Sequence, residues 1–369
     1  MNTKSLIWPA FILIVFGLAM ISSAGIYPSQ KNFGTNYYYL GHQFFFGFLP
    51  GLALFFAASR MDYKIWKKIS LPLILGSVFF LFLVFAPGFG INLGGAKRWV
   101  NFFNLFSFQP AEILKLTLII YLASWLEGRK FAAPLSGAIW GAQRPAGSTT
   151  AFTIIIFFIG ILIAAQPDIG TLSIIIGIAI SMFFASGAGF KHIVGILLLI
   201  AVAFALLIFF EPYRFDRVFV LLNPDFDVKG IGYHFNQSLI AIGKGGFLGS
   251  GFGKGEQKLG FLPEPVGDSI FAVIGEELGF IGMTAVLFML LFFVTISLKI
   301  AKRAGNKFAS LYAVGLASWV GIQSFINVAS LSGLAPLTGI PLPFISYGGT
   351  ALAVLMLGVG ILANIARKA

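Results

Sequence analysis

The chain alternates long apolar runs with polar connections that are mostly short. A helix that crosses a bilayer needs about 20 consecutive, mostly apolar residues. Ten segments come close enough to be predicted as spans: 5–25, 37–59, 69–87, 110–126, 150–166, 168–187, 191–211, 270–300, 308–331 and 344–366. Strands of an outer-membrane barrel would instead be about ten residues long and alternating. The pattern therefore predicts membrane helices rather than a barrel.

The predicted fold class is an all-α membrane protein, a polytopic bundle of about ten transmembrane helices in a single domain over residues 1–369. One predicted connection is much longer than the others, a large outer loop of residues 212–269 between spans 7 and 8. Loops longer than about 15 residues are uncommon inside a compact domain and are usually functional. We therefore expect chemistry in this loop.

Composition excludes several classes of protein. Of the 369 residues, 58% are hydrophobic and only 10% are charged, and the mean hydropathy is +0.93. Soluble domains carry about 25% charged residues, so a soluble enzyme, a nucleic-acid-binding domain and a disordered chain are excluded. The net charge of +12 is then a signal of topology and of contact with lipid headgroups. The absence of cysteine excludes thiolate catalysis and cysteine-based metal sites.

Charge also predicts orientation. Most Lys and Arg residues fall on one side of the predicted spans if both termini are cytoplasmic, as the positive-inside rule requires. Among the acidic residues, only Asp62 and Glu127 fall on that cytoplasmic side. The other acids lie outside or in spans near the outer face, which indicates that the chemistry is on the outer side of the membrane.

The first outer region with concentrated polar residues is 88–115. It contains Arg98 and then the pair Glu112 and Lys115, which are three residues apart and share a helix face. Charges this deep are costly and usually face a cavity or a partner. Two interpretations are open: a structural ion pair that fixes helix packing, or, as we favour, part of a site for an anionic headgroup.

Two further outer motifs follow. In QPDIGT (166–171), Asp168 is predicted to cap the N-terminus of the next helix. The large loop carries Arg214 and Arg217, and then a glycine-rich basic stretch, 243–255, that begins next to Lys244. Glycine backbone can approach phosphates closely, although the spacing is not that of a P-loop.

The large loop ends in LPEPVGD (262–268), with Asp268 at the mouth of the next span, and Glu276 and Glu277 follow two turns later. Segment 333–349 is rich in proline and glycine but otherwise apolar, which favours a re-entrant segment. No group of His, Asp and Glu has a recognisable metal-ligand spacing.

Taken together, these motifs resemble one protein family. The motifs GAKRW, FQPAEILKL, QPDIGT, AIGKGG, LGSGFGKGEQK, IFAVIGEELGFIG and GIPLPFISYGGT occur in this order over most of the chain. The chain is thus similar to the shape–elongation–division–sporulation (SEDS) family, the FtsW/RodA group, and resembles its FtsW branch more than its RodA branch. The resemblance implies a peptidoglycan glycosyltransferase that polymerises lipid II on the outer face of the bacterial cytoplasmic membrane.

The resemblance also implies site residues and partners. Asp268 occupies the position of the family's proposed catalytic carboxylate, Glu112 and Lys115 match its functionally sensitive pair, and Arg98 matches its basic residue before that span. Around Asp268 the chain has Val266, Gly267 and Ser269 where the family commonly has His, Thr and Phe. The implied partners are lipid II, a class B penicillin-binding protein, other divisome membrane proteins and the bilayer, with no nucleic acid.

Glycosyl transfer from a polyprenyl pyrophosphate needs a base for the acceptor hydroxyl and positive charge for the leaving pyrophosphate. We predict that Asp268 is the base, and that the substrate-binding residues are Arg98, Glu112, Lys115, Arg214, Arg217 and Lys244. A divalent cation, Mg²⁺ or Mn²⁺, could assist. The alternatives are an elongation polymerase of the RodA type, a lipid II flippase, or a scaffold that only recruits a transpeptidase.

Overall fold

A computed structural model of the chain describes residues 4–93, 96–102, 106–128, 147–188, 194–199, 219–221, 223, 230 and 232–368. Most of these residues are helical. The helices are α1 (Lys4–Ala24), α2 (Ile26–Phe33), α3 (Tyr38–Gln43), α4 (Leu49–Arg60), α5 (Tyr63–Lys68), α6 (Ser70–Leu83), α7 (Pro110–Glu127), α8 (Gly147–Ala164), α9 (Ile169–Ala185), α10 (Tyr233–Gly245), α11 (Ile270–Arg303), α12 (Lys307–Leu331) and α13 (Gly349–Lys368). A π-helical turn, Phe44–Phe48, joins α3 to α4.

Within the described residues, five helical stretches are long and apolar enough to cross a membrane: Ser5–Ala24, Tyr38–Arg60, Ile270–Arg303, Lys307–Leu331 and Gly349–Lys368. Shorter apolar helices cover Ser70–Leu83, Thr150–Ala164 and Ile169–Ala185, and α7 is an 18-residue helix that carries buried charges. Every predicted span except 191–211 therefore coincides with a described helix, and most of that span lies outside the described residues. A bundle of several apolar helices is confirmed, and the total of ten spans stays a prediction.

The prediction of an all-α chain is wrong in one region, between α6 and α7. Three short strands, β1 (Gly90–Leu93), β2 (Ala96–Phe102) and β3 (Phe106–Phe108), form an antiparallel sheet in the order β1-β2-β3. Val100 is fully buried and pairs with Gly90 on one side and Phe108 on the other. Hydrogen bonds between the strands satisfy backbone N–H and C=O groups that would have no partner in an irregular loop.

Helix α11 is not continuous, although the predicted span 270–300 is. Gly279 has φ 64° and ψ −162°, which interrupts the helix. A Cβ atom on Gly279 would lie 2.4 Å from the backbone nitrogen of Gly249, so the loop after α10 runs directly against the break. The candidate span Ile270–Arg303 therefore consists of two helical parts that meet at Gly279.

Segment 333–348, between α12 and α13, lacks helix but is packed into the bundle. Its residues Leu342 and Ile345 are 1% and 0% exposed. The segment is therefore covered by protein, and its re-entry into the membrane stays a prediction. The last helix begins at Gly349 rather than at the predicted residue 344.

The bundle has two distinct ends. α13 packs along α4, α11 along α12, and α12 also contacts α7 and α9. The strands, α10, the N-terminus of α9 and segment 333–348 lie at one end, which we call the sheet end. At the opposite end, Lys368 pairs with Asp62 and Lys67 pairs with Glu127, each at 2.7 Å. α1 ends at the sheet end, so Lys4 and Lys368 share the opposite end.

Candidate active site

Asp268 lies in a tight turn at the sheet end, two residues before α11 begins. The N–H of Gly267 donates to the carbonyl of Glu264 at 2.9 Å, which closes the turn. The N–H of Tyr347 donates to the carbonyl of Val266 at 2.8 Å, so the segment that precedes α13 also holds the turn. The backbone at Asp268 is therefore fixed by both local and long-range hydrogen bonds.

The side chain of Asn327, on α12, contacts the backbone of Asp268. Its Nδ2 donates to the carbonyl of Asp268 at 2.8 Å and to the carbonyl of Ile340 at 2.7 Å. Gly339 lies beside the carboxylate: a Cβ atom there would be 3.7 Å from Asp268 Oδ2, and its φ is +70°. Glycine at this position satisfies the backbone conformation and leaves space beside the carboxylate.

His234 is a residue at this site that the sequence analysis did not predict. It lies in the first turn of α10, and its Nε2 is 2.6 Å from the Oγ of Ser269. Ser269, which directly follows Asp268, supplies the hydroxyl that His234 contacts. The signal available in the sequence was that His234 is the one histidine of the large loop.

Arg98 and Asp168, from two separate sequence motifs, meet at the N-terminus of α9. Asp168 caps α9 as predicted, because its Oδ1 accepts from the N–H of Thr171 at 3.1 Å. Arg98, on β2, has its Nε 3.9 Å from Asp168 Oδ2. It also donates to the carbonyls of Gln166 and Pro167. The guanidinium is therefore anchored, while about a third of the side chain (35%) stays exposed.

Glu112 and Lys115 form an ion pair inside the bundle. Lys115 Nζ is 2.8 Å from Glu112 Oε1, and the two side chains are 1% and 4% exposed. The same Nζ donates to Gln323 Oε1 at 2.9 Å and lies 4.9 Å from the ring centroid of Trp319. This environment favours the interpretation of a pair that fixes helix packing. Direct contact of the pair with a substrate stays a prediction.

Segment 338–341 brings these motifs together. Asp268 and Asn327 contact it from one side, as described above. Gly170, in the first turn of α9, packs against it: a Cβ atom there would be 2.8 Å from Ile340 and 3.0 Å from the carbonyl of Thr338. Gln323 Nε2 donates to the carbonyl of Pro341 at 2.8 Å. The segment therefore links the Asp268 turn, the Asp168 cap and the Lys115 pair.

At the end of the glycine-rich stretch 243–255 and directly after it, backbone amides bind carboxylates of α11 instead of lining an open anion site. The N–H of Gly253 donates to Glu277 Oε2 at 3.0 Å, and the N–H groups of Glu256 and Gln257 donate to Glu276 Oε1 at 2.9 and 3.1 Å. These amides are occupied by carboxylates of the chain itself. The prediction that backbone of residues 243–255 approaches phosphates is therefore wrong for Gly253, and the adjoining amides of Glu256 and Gln257 are occupied in the same way.

Lys244, another of the predicted basic residues, is not brought to Asp268. Lys244 pairs with Glu256 at 3.2 Å, and their side chains are 46% and 74% exposed. It follows His234 by ten residues on α10, a distance of about 15 Å along a helix axis. Arg214 and Arg217 lie outside the residues that the structure describes. A role for these three residues in substrate binding stays a prediction.

Among the described residues, no group of three or more His, Asp or Glu side chains could hold a metal ion. The divalent cation proposed from the sequence therefore stays untested, and we derive no step through it.

Comparison with known proteins decides the family. A family model described as "Cell cycle protein", which covers FtsW, RodA and SpoVE, matches residues 4–369. A probable peptidoglycan glycosyltransferase FtsW of Geobacter sp. (strain M18) is 37% identical over 359 residues, 97% of this chain and 95% of that protein. The stage V sporulation protein E of Bacillus subtilis (strain 168) is 36% identical over 356 residues, 96% and 94% of the two chains. The chain belongs to the FtsW/RodA/SpoVE family.

Solved structures agree on the fold of this family. A chain from a structure on the coordination of polymerization and crosslinking by a peptidoglycan synthase complex superposes with a TM-score of 0.79 at 24% identity, over 98% of this chain and 97% of that one. The rod shape determining protein RodA of Thermus thermophilus superposes with a TM-score of 0.68 at 23% identity, over 98% and 96%. The FtsW/RodA/SpoVE fold therefore extends over nearly the whole chain.

Proposed function

We propose that this protein is a peptidoglycan glycosyltransferase that polymerises lipid II into glycan strands, with a septal role in cell division. The observation that carries the proposal is that Asp268 and the first turn of α9 both lie against segment 338–341, at one end of an apolar bundle. Asp168 caps that turn of α9 and pairs with Arg98. The near full-length relatives named FtsW and peptidoglycan glycosyltransferase support it. The sheet end then faces the outside of the cytoplasmic membrane, and both termini are cytoplasmic.

The chemistry requires few groups. Asp268 takes the proton of the acceptor sugar's 4-hydroxyl as that oxygen attacks the anomeric carbon of the donor. The bond from this carbon to the pyrophosphate oxygen breaks, and polyprenyl pyrophosphate leaves. Pyrophosphate is a good leaving group, so a second carboxylate is not needed as acid, in contrast to glycoside hydrolysis. Arg98, held by three oxygens of segment 166–168, supplies fixed positive charge for the departing pyrophosphate.

We also propose that a class B penicillin-binding protein is the partner transpeptidase, with other divisome membrane proteins nearby. The structural match to a chain of a peptidoglycan synthase complex supports a partner of this kind. The bilayer supplies both the substrate and the setting, since the apolar helices need a lipid environment.

The experiment is polymerisation of lipid II in proteoliposomes that contain the protein and the transpeptidase. Wild type is compared with Asp268→Asn, which keeps the size of the side chain and removes the base. Removal of a general base costs about 10²–10⁴ in rate, so we expect no measurable strands from the variant. Asp62→Asn, at the opposite end of the bundle, is the matched control and should polymerise like wild type.

Equal polymerisation by wild type and Asp268→Asn would exclude the base role. If neither forms strands but labelled lipid II crosses the bilayer, the protein is a flippase. If neither polymerises nor transports lipid II and the partner's crosslinking still depends on the protein, it is a scaffold.

A further inference from the structure

Two amide side chains on α12 form a continuous polar connection through the bundle. Gln323 and Asn327 are four residues apart and therefore lie on the same face of the helix. Gln323 and Asn327 are 3% and 1% exposed. Buried amides are costly unless their donors and acceptors are used, which makes their hydrogen-bond partners informative.

Gln323 joins the ion pair to segment 338–341. Its Oε1 accepts from Lys115 Nζ at 2.9 Å and from Trp319 Nε1 at 2.7 Å. Its Nε2 donates to the carbonyl of Pro341 at 2.8 Å. The position of this carbonyl is therefore coupled to the position of the Lys115 ammonium.

Asn327 joins the same segment to the Asp268 turn. Its single amide nitrogen donates to Ile340 and to Asp268, at 2.7 and 2.8 Å. Ile340 and Pro341 are adjacent, so two neighbouring carbonyls are held by two side chains one helical turn apart. A shift at either carbonyl must move the other, and with it the backbone of Asp268.

We propose that Gln323 and Asn327 are positioning residues through which the buried Glu112–Lys115 pair sets the backbone position of Asp268. The pair then influences the reaction without touching the substrate. This role explains why a charged pair is kept inside the bundle, where it is expensive. The kinetic part of the inference rests on the proposed function, whereas the structural part does not.

The first test is kinetic. Asn327→Leu keeps the side-chain size and removes both donors to the two carbonyls. Displacement of a catalytic group by about 1 Å can cost on the order of a hundredfold in rate, so we expect kcat for lipid II polymerisation to fall about a hundredfold, with KM within about threefold of wild type. Ser324→Ala is the matched control, because Ser324 is buried on the same helix and bonds only within it, to the carbonyl of Val320.

A double-mutant cycle tests the coupling. Lys115→Met and Asn327→Leu should cost less together than the product of their separate effects, because they break one connection. Lys115→Met alone leaves Glu112 buried without its counter-charge and could prevent folding. The double variant Glu112→Gln with Lys115→Met removes both charges and replaces it in that case. Fully multiplicative effects, or a change in KM alone, would overturn the inference.

The second test needs no activity. Amide hydrogen exchange is measured by mass spectrometry on wild type and variants in lipid nanodiscs. Loss of one hydrogen bond is worth about 1 kcal/mol, so Asn327→Leu should raise exchange in residues 264–269 about fivefold. The neutralised pair, E112Q with K115M, should raise exchange in the same residues, and Ser324→Ala should not.

The two tests separate the two ideas. If hydrogen exchange rises in the variants as expected but wild type forms no glycan strands, the proposed function is contradicted and the connection is still supported. Unchanged exchange in residues 264–269 after neutralisation of the pair would contradict the connection, whatever the activity.

Discussion

Acidic residues at the sheet end are held in two different ways. Glu276 and Glu277, before the break in α11, are bound through their carboxylates. Glu276 accepts the N–H groups of Glu256 and Gln257, just after the glycine-rich stretch. Glu277 accepts from Gly253, Ser23 and Lys258. Asp268, eight residues earlier, is held through its main-chain carbonyl by Asn327, and its carboxylate faces Gly339.

The difference shows how the same residue type acquires different roles within one short stretch. A carboxylate whose oxygens bind the backbone of a neighbouring loop fixes that loop in place. A residue fixed through its backbone has a defined position that does not depend on its side chain. This second arrangement suits a base, since the hydrogen bond from Asn327 to the main-chain carbonyl does not depend on the protonation of the carboxylate.

The largest expected effect is a loss of stability when Glu277, one of the two carboxylates bound by the neighbouring loop, is changed. Glu277→Gln would leave Lys258 buried without its counter-charge, since the two side chains are 0% and 5% exposed. Removal of one partner of a buried pair costs about 3–5 kcal/mol. We expect a large fall in the free energy of unfolding, measured in detergent with denaturant. Glu256→Gln, on the exposed side of the same loop, should change the free energy of unfolding little. Equal stability of the two variants would contradict the idea that the Glu277 carboxylate fixes the loop.

A smaller loss of stability is expected from a substitution next to Asp268. Gly339→Ala places a side chain at φ +70°, which costs about 1–2 kcal/mol of stability. Its methyl group also fills the space beside Asp268 Oδ2, so polymerisation should fall more than stability does. Gly305→Ala, at a position with nothing within 4 Å, is the control for both measurements. If Gly339→Ala polymerises normally, the space beside the carboxylate is not used.

The cap of α9 should have a moderate effect. Asp168→Ala removes the acceptor for the N–H of Thr171 and the charge beside Arg98, and loss of such a cap costs about 1 kcal/mol. Asp168→Asn keeps an acceptor and should recover most of that stability. If both variants lose polymerisation but only Asp168→Ala loses stability, the charge beside Arg98 matters for the reaction. Normal polymerisation by Asp168→Asn would instead limit Asp168 to its capping role.

The smallest effect is expected at Lys244. Its pair with Glu256 is exposed, and pairs of this kind contribute about 0–1 kcal/mol. Lys244→Ala should therefore leave both the melting temperature and the polymerisation rate close to wild type. A tenfold loss of rate at unchanged stability would instead support the sequence-based prediction that this lysine binds pyrophosphate.

The sequence by itself determined the helices and the local caps. The bounds of α1 and α12 differ from the predicted spans by one residue, because a membrane helix needs a long apolar run that few other structures tolerate. Asp168 was predicted as a cap because capping depends on residues three positions apart. Asp268 was found through the family motif that contains it, not through its environment.

Tertiary structure decided what each polar residue contacts. The sheet after α6 was missed although Gly94 and Gly95 are a hairpin signal, because the apolar runs on both sides are much stronger. Several contacts join residues that are distant in the chain: Lys115 with Gln323, His234 with Ser269, and Asn327 with Asp268. The break at Gly279 likewise lies against Gly249. Hydrophobic periodicity carries no information about such pairs, since a buried polar group can be satisfied by any element that packing brings near it.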